Sequence, residues 1–389
     1  MEVRRLRTST PPAVPFELLD ERGQPVEVVS GFLRFLQARG YSPNTLSAYV
    51  YDLLHFMRFL RQQGLTYLVF RPAHSVHFLE YLRNVPTRRH AQRFGMVGCT
   101  TDGGQSARCL APATINRILA AVASFYEYLI LSDQLTTCEN PLHQEAALAS
   151  IHVADRHQPF IGRASRQRPI RRMVRVKTAV RLPRPLTADQ TTQLMNSLRR
   201  WRDKAMILLM LQGGLRPGEV LNLHLEDIQY GRRRLVIRYR TDHPKGVRTK
   251  SRVERMVDLH EPEALHALST YVMQERPTDA PTTLIFLVGG KGTNRLQPLS
   301  YQALVKLFRR HCERLGIRTP WVTPHALRHT HATKMWEGGM RELTLQKRLG
   351  HASPESTRIY TRVSDARVVA DYRRALGQPP EAPNQEASA

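Results

Sequence analysis

Cysteine is scarce: four residues in 389, Cys99, Cys109, Cys138 and Cys312. They show neither the close pairs of a structural zinc site nor the density of a disulfide-stapled secreted domain, so reduced thiols are expected. Long apolar runs are missing as well. The longest nearly continuous one, Ala205–Leu211, is far short of the roughly 20 residues a membrane-crossing helix needs. The first dozen residues are basic without the apolar stretch of a secretory signal. A cytoplasmic protein with no membrane partner is the expectation. Acidic charge is also in deficit, with 33 Asp plus Glu against 58 Lys plus Arg, a formal charge of +25. That surplus opposes compaction by self-repulsion and favours a polyanion, nucleic acid first, as partner. Yet 41% of residues are apolar, which excludes a disordered basic tail, and the length suits two or three domains.

The charge is unevenly spread. Residues 1–149 carry 15 basic against 12 acidic side chains, and residues 150–184 carry 10 against 1. From Arg156 to Arg184 there is no acidic residue, and Pro159, Gly162, Pro169, Pro183 and Pro185 interrupt any long helix. This segment reads as an interdomain linker, either a solvated connector or a basic strap along phosphates, with Arg168, Arg171, Arg172, Arg175 and Lys177 as its candidate contacts.

Before the linker, apolar residues recur at three and four positions, in Val28, Phe32, Phe35 and Leu36, then in Leu46, Tyr49, Leu53, Phe56, Met57 and Leu60. Ser42-Pro43 supplies the cap and first turn of the second helix. Another apolar face runs from Ile115 to Leu129. Pro86 to Pro112 has no period and reads as an insert. The expected divisions are an N-terminal extension 1–23, a helical domain 24–149, the linker 150–184, a second domain 185–376 and a disordered tail 377–389. In the second domain, Thr187 to Leu198 and Lys204 to Gln212 read as helices. Arg234 to Arg240 and Arg252 to Leu259 alternate like two strands joined by a turn at His243–Gly246. The fold class is mainly α with a small antiparallel sheet: an all-α first domain and a mixed α+β second one.

Three clusters in the second domain gather cationic groups and a tyrosine. In Gly213-Gly214-Leu215-Arg216-Pro217-Gly218-Glu219 the glycines end one helix and Arg216 opens the next. Its planar fork suits phosphate oxygens, or simply Glu219. In Thr323-Pro324-His325-Ala326-Leu327-Arg328-His329-Thr330, Thr323 caps and Pro324 starts a helix that sets His325 and Arg328 on one face near the positive dipole end. His325 and His329 have metal-binding spacing, but the adjacent glutamate of the zinc protease motif is absent and no carboxylate follows nearby, so no metal is expected. In the third cluster Gly350 ends a helix, His351 leaves the turn, and Ser353-Pro354 starts a helix carrying Tyr360. A nucleophilic tyrosine needs a deprotonable oxygen and positive surroundings for the phosphate it attacks.

Gly-Leu-Arg-Pro-Gly-Glu at 214–219, His-Ala-Leu-Arg-His-Thr at 325–330, Leu-Gly-His at 349–351 and Tyr360 resemble, in order and spacing, the signature of the tyrosine recombinases, the integrase superfamily. Gly40 to Leu46 resembles the start of that family's core-binding domain, which implies DNA contacts from Asn44 and Thr45. The resemblance implies a site-specific DNA recombinase or integrase. Arg216 and Arg328 would clamp the scissile phosphate, His325 would assist proton transfer, and His351 would hydrogen-bond the transition state. Tyr360 would attack phosphorus to form a 3′-phosphotyrosyl link, with Glu219 orienting Arg216. A turn lysine would protonate the leaving 5′-oxygen; counting back from Val257-Asp258-Leu259 gives Lys250, with Lys245 as competitor. His331 departs from the apolar residue usual at its place.

No cofactor is implied, and no Gly-Lys-Ser or Gly-Lys-Thr phosphate loop occurs in the sequence. Double-stranded DNA and further copies of the chain would be the partners: a tetramer on DNA, a monomer or weak dimer in solution, nucleoid-associated. The apolar face of Val368, Val369, Tyr372 and Leu376 is expected to exchange with a neighbouring protomer. A catalytically inactive DNA-binding accessory factor is the alternative. A two-metal nuclease or transposase would require a carboxylate triad.

Overall fold

In the computed structural model the described residues are 1–6, 14–86, 109–135, 139–142, 144–146, 170–172, 174–178, 184–251, 253–290 and 292–351. Tyr360, Arg168, the tail, the apolar face at 368–376 and most of the insert lie outside them. The chain divides into two compact units, 1–180 and 181–389.

The first unit is a helical bundle with a strand pair against it. Nine of the twelve phenylalanines lie in residues 1–149. Helices α1 (Glu27–Ala38), α2 (Pro43–Gln62), α3 (Pro72–Asn84) and α4 (Pro112–Leu131) surround an aromatic core. Phe56 packs edge-on against Phe70 and Phe78, at 5.1 and 5.3 Å between ring centroids, and Phe32 meets Phe125 at 5.5 Å. Each fully buried ring stabilises the fold by about 2–3 kcal/mol through area burial, with more from its edge-to-face geometry. Ser42 caps α2 as expected, its hydroxyl accepting from Thr45 N–H at 3.2 Å. By length and composition α4 is long and apolar enough to cross a membrane. Here it is a core helix with nine buried side chains. Helix α3 escaped the periodicity reading because only Ser75, Phe78 and Leu82 on it are buried.

The first residues are part of this fold and not an extension. Strands β1 (Glu2–Arg5) and β2 (Phe16–Leu19) pair antiparallel, and Leu18 and Leu19 are buried. The basic segment is likewise partly anchored. Strand β3 (Gln144–Ala146) pairs antiparallel with β4 (Ile170–Arg172). Beyond it Val176 enters the core, and its N–H and C=O both bond the Asn116 amide at 2.9 Å. Extended alternation then leaves Arg175 and Lys177 exposed on either side.

Cys312 is a buried free thiol, its pKa pushed up to about 11 by burial. Cys109 is disulfide-bonded, against the expectation of reduced thiols. Its partner lies outside the described residues, and sequence spacing gave no hint of the pairing.

The second unit packs helices around a three-stranded antiparallel sheet of order β5 (Ile228–Gln229), β6 (Arg234–Ile237), β7 (Arg255–Asp258). Among the described residues its α-helices are α5 (Ala188–Ser197), α6 (Trp201–Leu211), α7 (Pro217–Leu221), α8 (Pro262–Thr270), α9 (Tyr301–Arg314), α10 (Pro324–Glu337) and α11 (Glu342–Leu349). Ala205–Leu211 of α6 is buried on every face, so α6 is the central helix against which α8 and α10 pack. Thr187 and Gln190 close a reciprocal capping box on α5. The strands are shorter than the alternation suggested, because residues 238–251 and 253–254 leave the ladder in an irregular excursion whose buried anchors are His243, Val247 and Thr249.

Candidate active site

Three chain turns bring the expected residues together. Gly214, at φ +64°, lies in the turn after α6, and a Cβ there would lie 2.5 Å from the His331 ring, so both conformation and space require glycine. Arg216 follows at the start of α7. Its N–H bonds one Glu219 carboxylate oxygen and its Nη1 the other, both at 2.8 Å. Helix α10 begins at Pro324, though Thr323 makes no side-chain capping bond. His325 is exposed on its first turn, and Arg328 one turn later is buried. Helix α11 ends in Gly350, also at φ +64°, where a Cβ would lie 2.8 Å from the Arg255 guanidinium. His351 follows, its N–H donating to Gln346 C=O at 3.1 Å.

Glu219 is the hub. Besides Arg216, it receives a two-pronged fork from Arg255, at 3.0 and 2.7 Å, and Arg328 lies 3.7 Å away. Burial alone raises the pKa of this carboxyl, but the Arg255 hydrogen bonds and the charges of Arg255, Arg328 and Arg216 outweigh it and hold it at about 2. The same arginines gather the carbonyls at the end of α11. Arg328 donates to Gly214 O at 2.8 Å and Leu349 O at 2.6 Å; Arg216 donates to Leu349 O at 3.4 Å and Gly350 O at 3.3 Å. Three cations facing one anion leave a net positive site, the field that a phosphoryl transition state requires.

Sequence reasoning missed Arg255. The signal lay in the alternation of β7, where Arg255 and Val257 face inward while Met256 is 59% exposed. An arginine at an inward position must find a carboxylate.

The imidazoles are held neutral. Partial burial, then the charges of Arg328, Arg216 and Lys250, lower the pKa of His325. Burial and Arg328, Arg216 and Arg255 lower that of His351 to about 3. The Lys250 charge thus acts on the site, whereas the Lys245 ammonium donates to the side-chain Oε1 of Gln297. The excursion carrying Lys250 is pinned one residue earlier: Arg240 N–H bonds Thr249 Oγ1 at 2.9 Å, and the Arg240 guanidinium bonds buried Asp227 at 3.0 Å. Among the described residues no three His, Cys, Asp or Glu side chains gather as metal ligands. Of the other expected contacts, Asn44 is exposed at the start of α2 and Thr45 Oγ1 is 2.9 Å from Ser42 Oγ. Both belong to the first unit, as do Arg171, Arg172, Arg175 and Lys177.

Residues 184–367 match the phage integrase family, and residues 29–93 match the phage integrase N-terminal SAM-like domain. Tyrosine recombinase XerD of Mycobacterium tuberculosis is 30% identical over 352 residues, covering 86% of this chain and 93% of that protein. The chain belongs to the tyrosine recombinases of the phage integrase family. Transposase A from transposon Tn554 of Staphylococcus aureus is 28% identical over 97% of this chain and 98% of its own. Among solved structures, the Tn1549 transposon integrase in complex with transposon right end DNA shares the fold, with a TM-score of 0.60 at 18% identity over 90% of this chain and 99% of that one. The protein is therefore a site-specific recombinase with the mainly helical fold expected. Five of its six expected catalytic positions, Arg216, Lys250, His325, Arg328 and His351, lie among the described residues, and Tyr360 lies outside them.

Proposed function

We propose that this recombinase cuts and rejoins duplex DNA through a covalent link at Tyr360, without metal or ATP. The observation that carries the reading is the single buried carboxylate of Glu219 gathering Arg216, Arg255 and Arg328 beside two neutral imidazoles. Tyr360 Oη attacks phosphorus while its proton passes towards neutral His325. The bond from phosphorus to the 5′-oxygen breaks, and Lys250 protonates the leaving oxygen. Arg216, Arg328 and His351 bear the charge that builds on the phosphoryl oxygens. Ligation is the reverse attack by a 5′-hydroxyl of the exchanged strand, so bond energy is kept throughout.

A nicked suicide duplex tests the chemistry. The wild-type protein becomes covalently attached and Tyr360→Phe does not; attachment persisting in that variant removes Tyr360 as nucleophile. A wild-type protein that binds DNA without attaching is the inactive accessory factor instead.

The enzyme acts as a tetramer on DNA, assembled from monomers or weak dimers, in the nucleoid, and its similarity to a transposon's transposase supports a mobile-element setting. Arg175 and Lys177 face outward from an anchored Val176, which suits a basic strap whose end is fixed to the first unit. Neutralising Arg168, Arg171, Arg172 and Arg175 together is expected to reduce the log–log salt slope of DNA binding by roughly three to four. An unchanged slope makes the segment a solvated tether.

A further inference from the structure

We propose that His331 is a positioning residue: its neutral imidazole seats Arg348, and through Arg348 fixes the end of α11 that carries His351. The proposal rests on the recombinase reading above. His331 lies on α10 and is 1% exposed. Its Nδ1 is 2.8 Å from Leu211 O. A carbonyl only accepts, so Nδ1 bears the proton and Nε2 is left as an acceptor. That acceptor takes Arg348 Nε at 3.1 Å. The same guanidinium donates through Nη2 to Gln212 O at 3.0 Å and Asp258 O at 3.2 Å. At its other end, Arg348 C=O accepts Arg255 Nε at 2.9 Å.

Arg348 is thus fixed at both side chain and backbone, and the chain it fixes enters the catalytic cluster at once. The next two carbonyls, of Leu349 and Gly350, are those that Arg328 and Arg216 grip, and the residue after them is His351. Among the described residues the imidazole is the one acceptor for Arg348 that is a side chain, so it is the one that substitution can remove. Among the described residues the charges that act on His331 are those of Arg348, Arg328 and Lys334, all cations, while Glu261, Glu263 and Glu337 line the same cavity. A proton on Nε2 would turn the acceptor into a fourth cation. Burial and these charges lower its pKa to about 3, so the accepting tautomer is the state at neutral pH.

A residue that only fills core volume tolerates an apolar ring; a positioning residue needs an acceptor for Arg348 and a donor for Leu211 O. His331→Phe keeps the volume and loses both, and His331→Gln supplies both through its amide. With the full chain and a suicide duplex, His331→Phe and Arg348→Met should each slow single-turnover attachment roughly 10- to 100-fold, as expected for misplaced catalytic groups. The double variant should be no slower than the slower single one. His331→Gln should stay within about threefold of wild type and DNA affinity should be unchanged in all, since the perturbed step is alignment. His331→Phe reacting like wild type, His331→Gln as slow as His331→Phe, or multiplicative losses in the double variant would overturn the proposal. A second measurement does not depend on activity or on the folding of a variant: the ring-nitrogen NMR shifts of His331 in the wild-type protein should report Nδ1–H, and an Nε2–H tautomer refutes the assignment. A wild-type protein that never attaches to DNA overturns the recombination chemistry, and the tautomer then judges His331 by itself.

Discussion

Glu219→Gln is expected to lower the unfolding free energy of the C-terminal unit by about 3–5 kcal/mol at neutral pH, the usual cost of removing one partner from a buried ion pair. The substitution is nearly isosteric, so the loss is electrostatic. Arg255 and Arg328, with side chains 6% and 4% exposed, have no water to replace the carboxylate. The pH dependence gives an independent measure. The Glu219 carboxyl titrates at about 2 in the folded state against an ordinary 4.5, which corresponds to about 3 kcal/mol. Because its folded value is depressed, the unfolded chain binds the proton more readily. The contribution is complete above about pH 4.5 and is lost as pH falls towards 2. All three tryptophans, Trp201, Trp321 and Trp336, lie in residues 181–389, so their fluorescence in urea reports this unit alone. Wild type should lose stability between pH 5 and 3 more steeply than Glu219→Gln. The imidazoles of His325 and His351, whose pKa values Glu219 raises, should titrate lower in the variant. A loss under about 1 kcal/mol would show that the three guanidiniums do not depend on Glu219.

What the sequence revealed depended on whether the signal was local. Ser42-Pro43 and Gly350 announce helix ends because caps are satisfied within a turn of the chain. Arg216 and Glu219 are three apart, so their pairing was legible as well. Arg255 belongs to the same hub, but 36 residues separate it from Glu219, and a strand arginine looks like surface charge until the face it occupies is known. His331 and Arg348 are 17 apart on different helices, and either residue alone looks like an anomaly. The strand pair Glu2–Arg5 and Phe16–Leu19 was read as an extension because four-residue strands carry too little alternation to register. The Lys250 excursion was legible as a turn but not as an anchored one, since Asp227, Arg240 and Thr249 meet only in the folded chain.

Arg216→Lys and Arg328→Lys are expected to separate catalysis from stability. Both keep the charge, and both should slow single-turnover attachment to DNA by about 100- to 1000-fold, the typical cost of losing one preorganised donor at a developing oxyanion. Lysine places a point charge where the arginine places a planar fork. For Arg216 that fork spans Glu219 and the Leu349 and Gly350 carbonyls, and for Arg328 it ties Gly214 to Leu349. The two differ in access to solvent. The Arg216 side chain is 17% exposed and Arg328 only 4%. A lysine at 216 can turn its ammonium towards water, so its tryptophan-detected urea midpoint should stay near wild type. A lysine at 328 leaves two buried carbonyls sharing one ammonium, and the unit should lose about 2–3 kcal/mol from groups that no longer find a donor. DNA affinity should change little in either, since neutralisation of phosphate charge is retained. Equal destabilisation by the two substitutions would mean that Arg216 is as structural as Arg328. An attachment rate for Arg216→Lys within threefold of wild type would remove its fork from the chemistry and leave Glu219 holding Arg216 for packing alone.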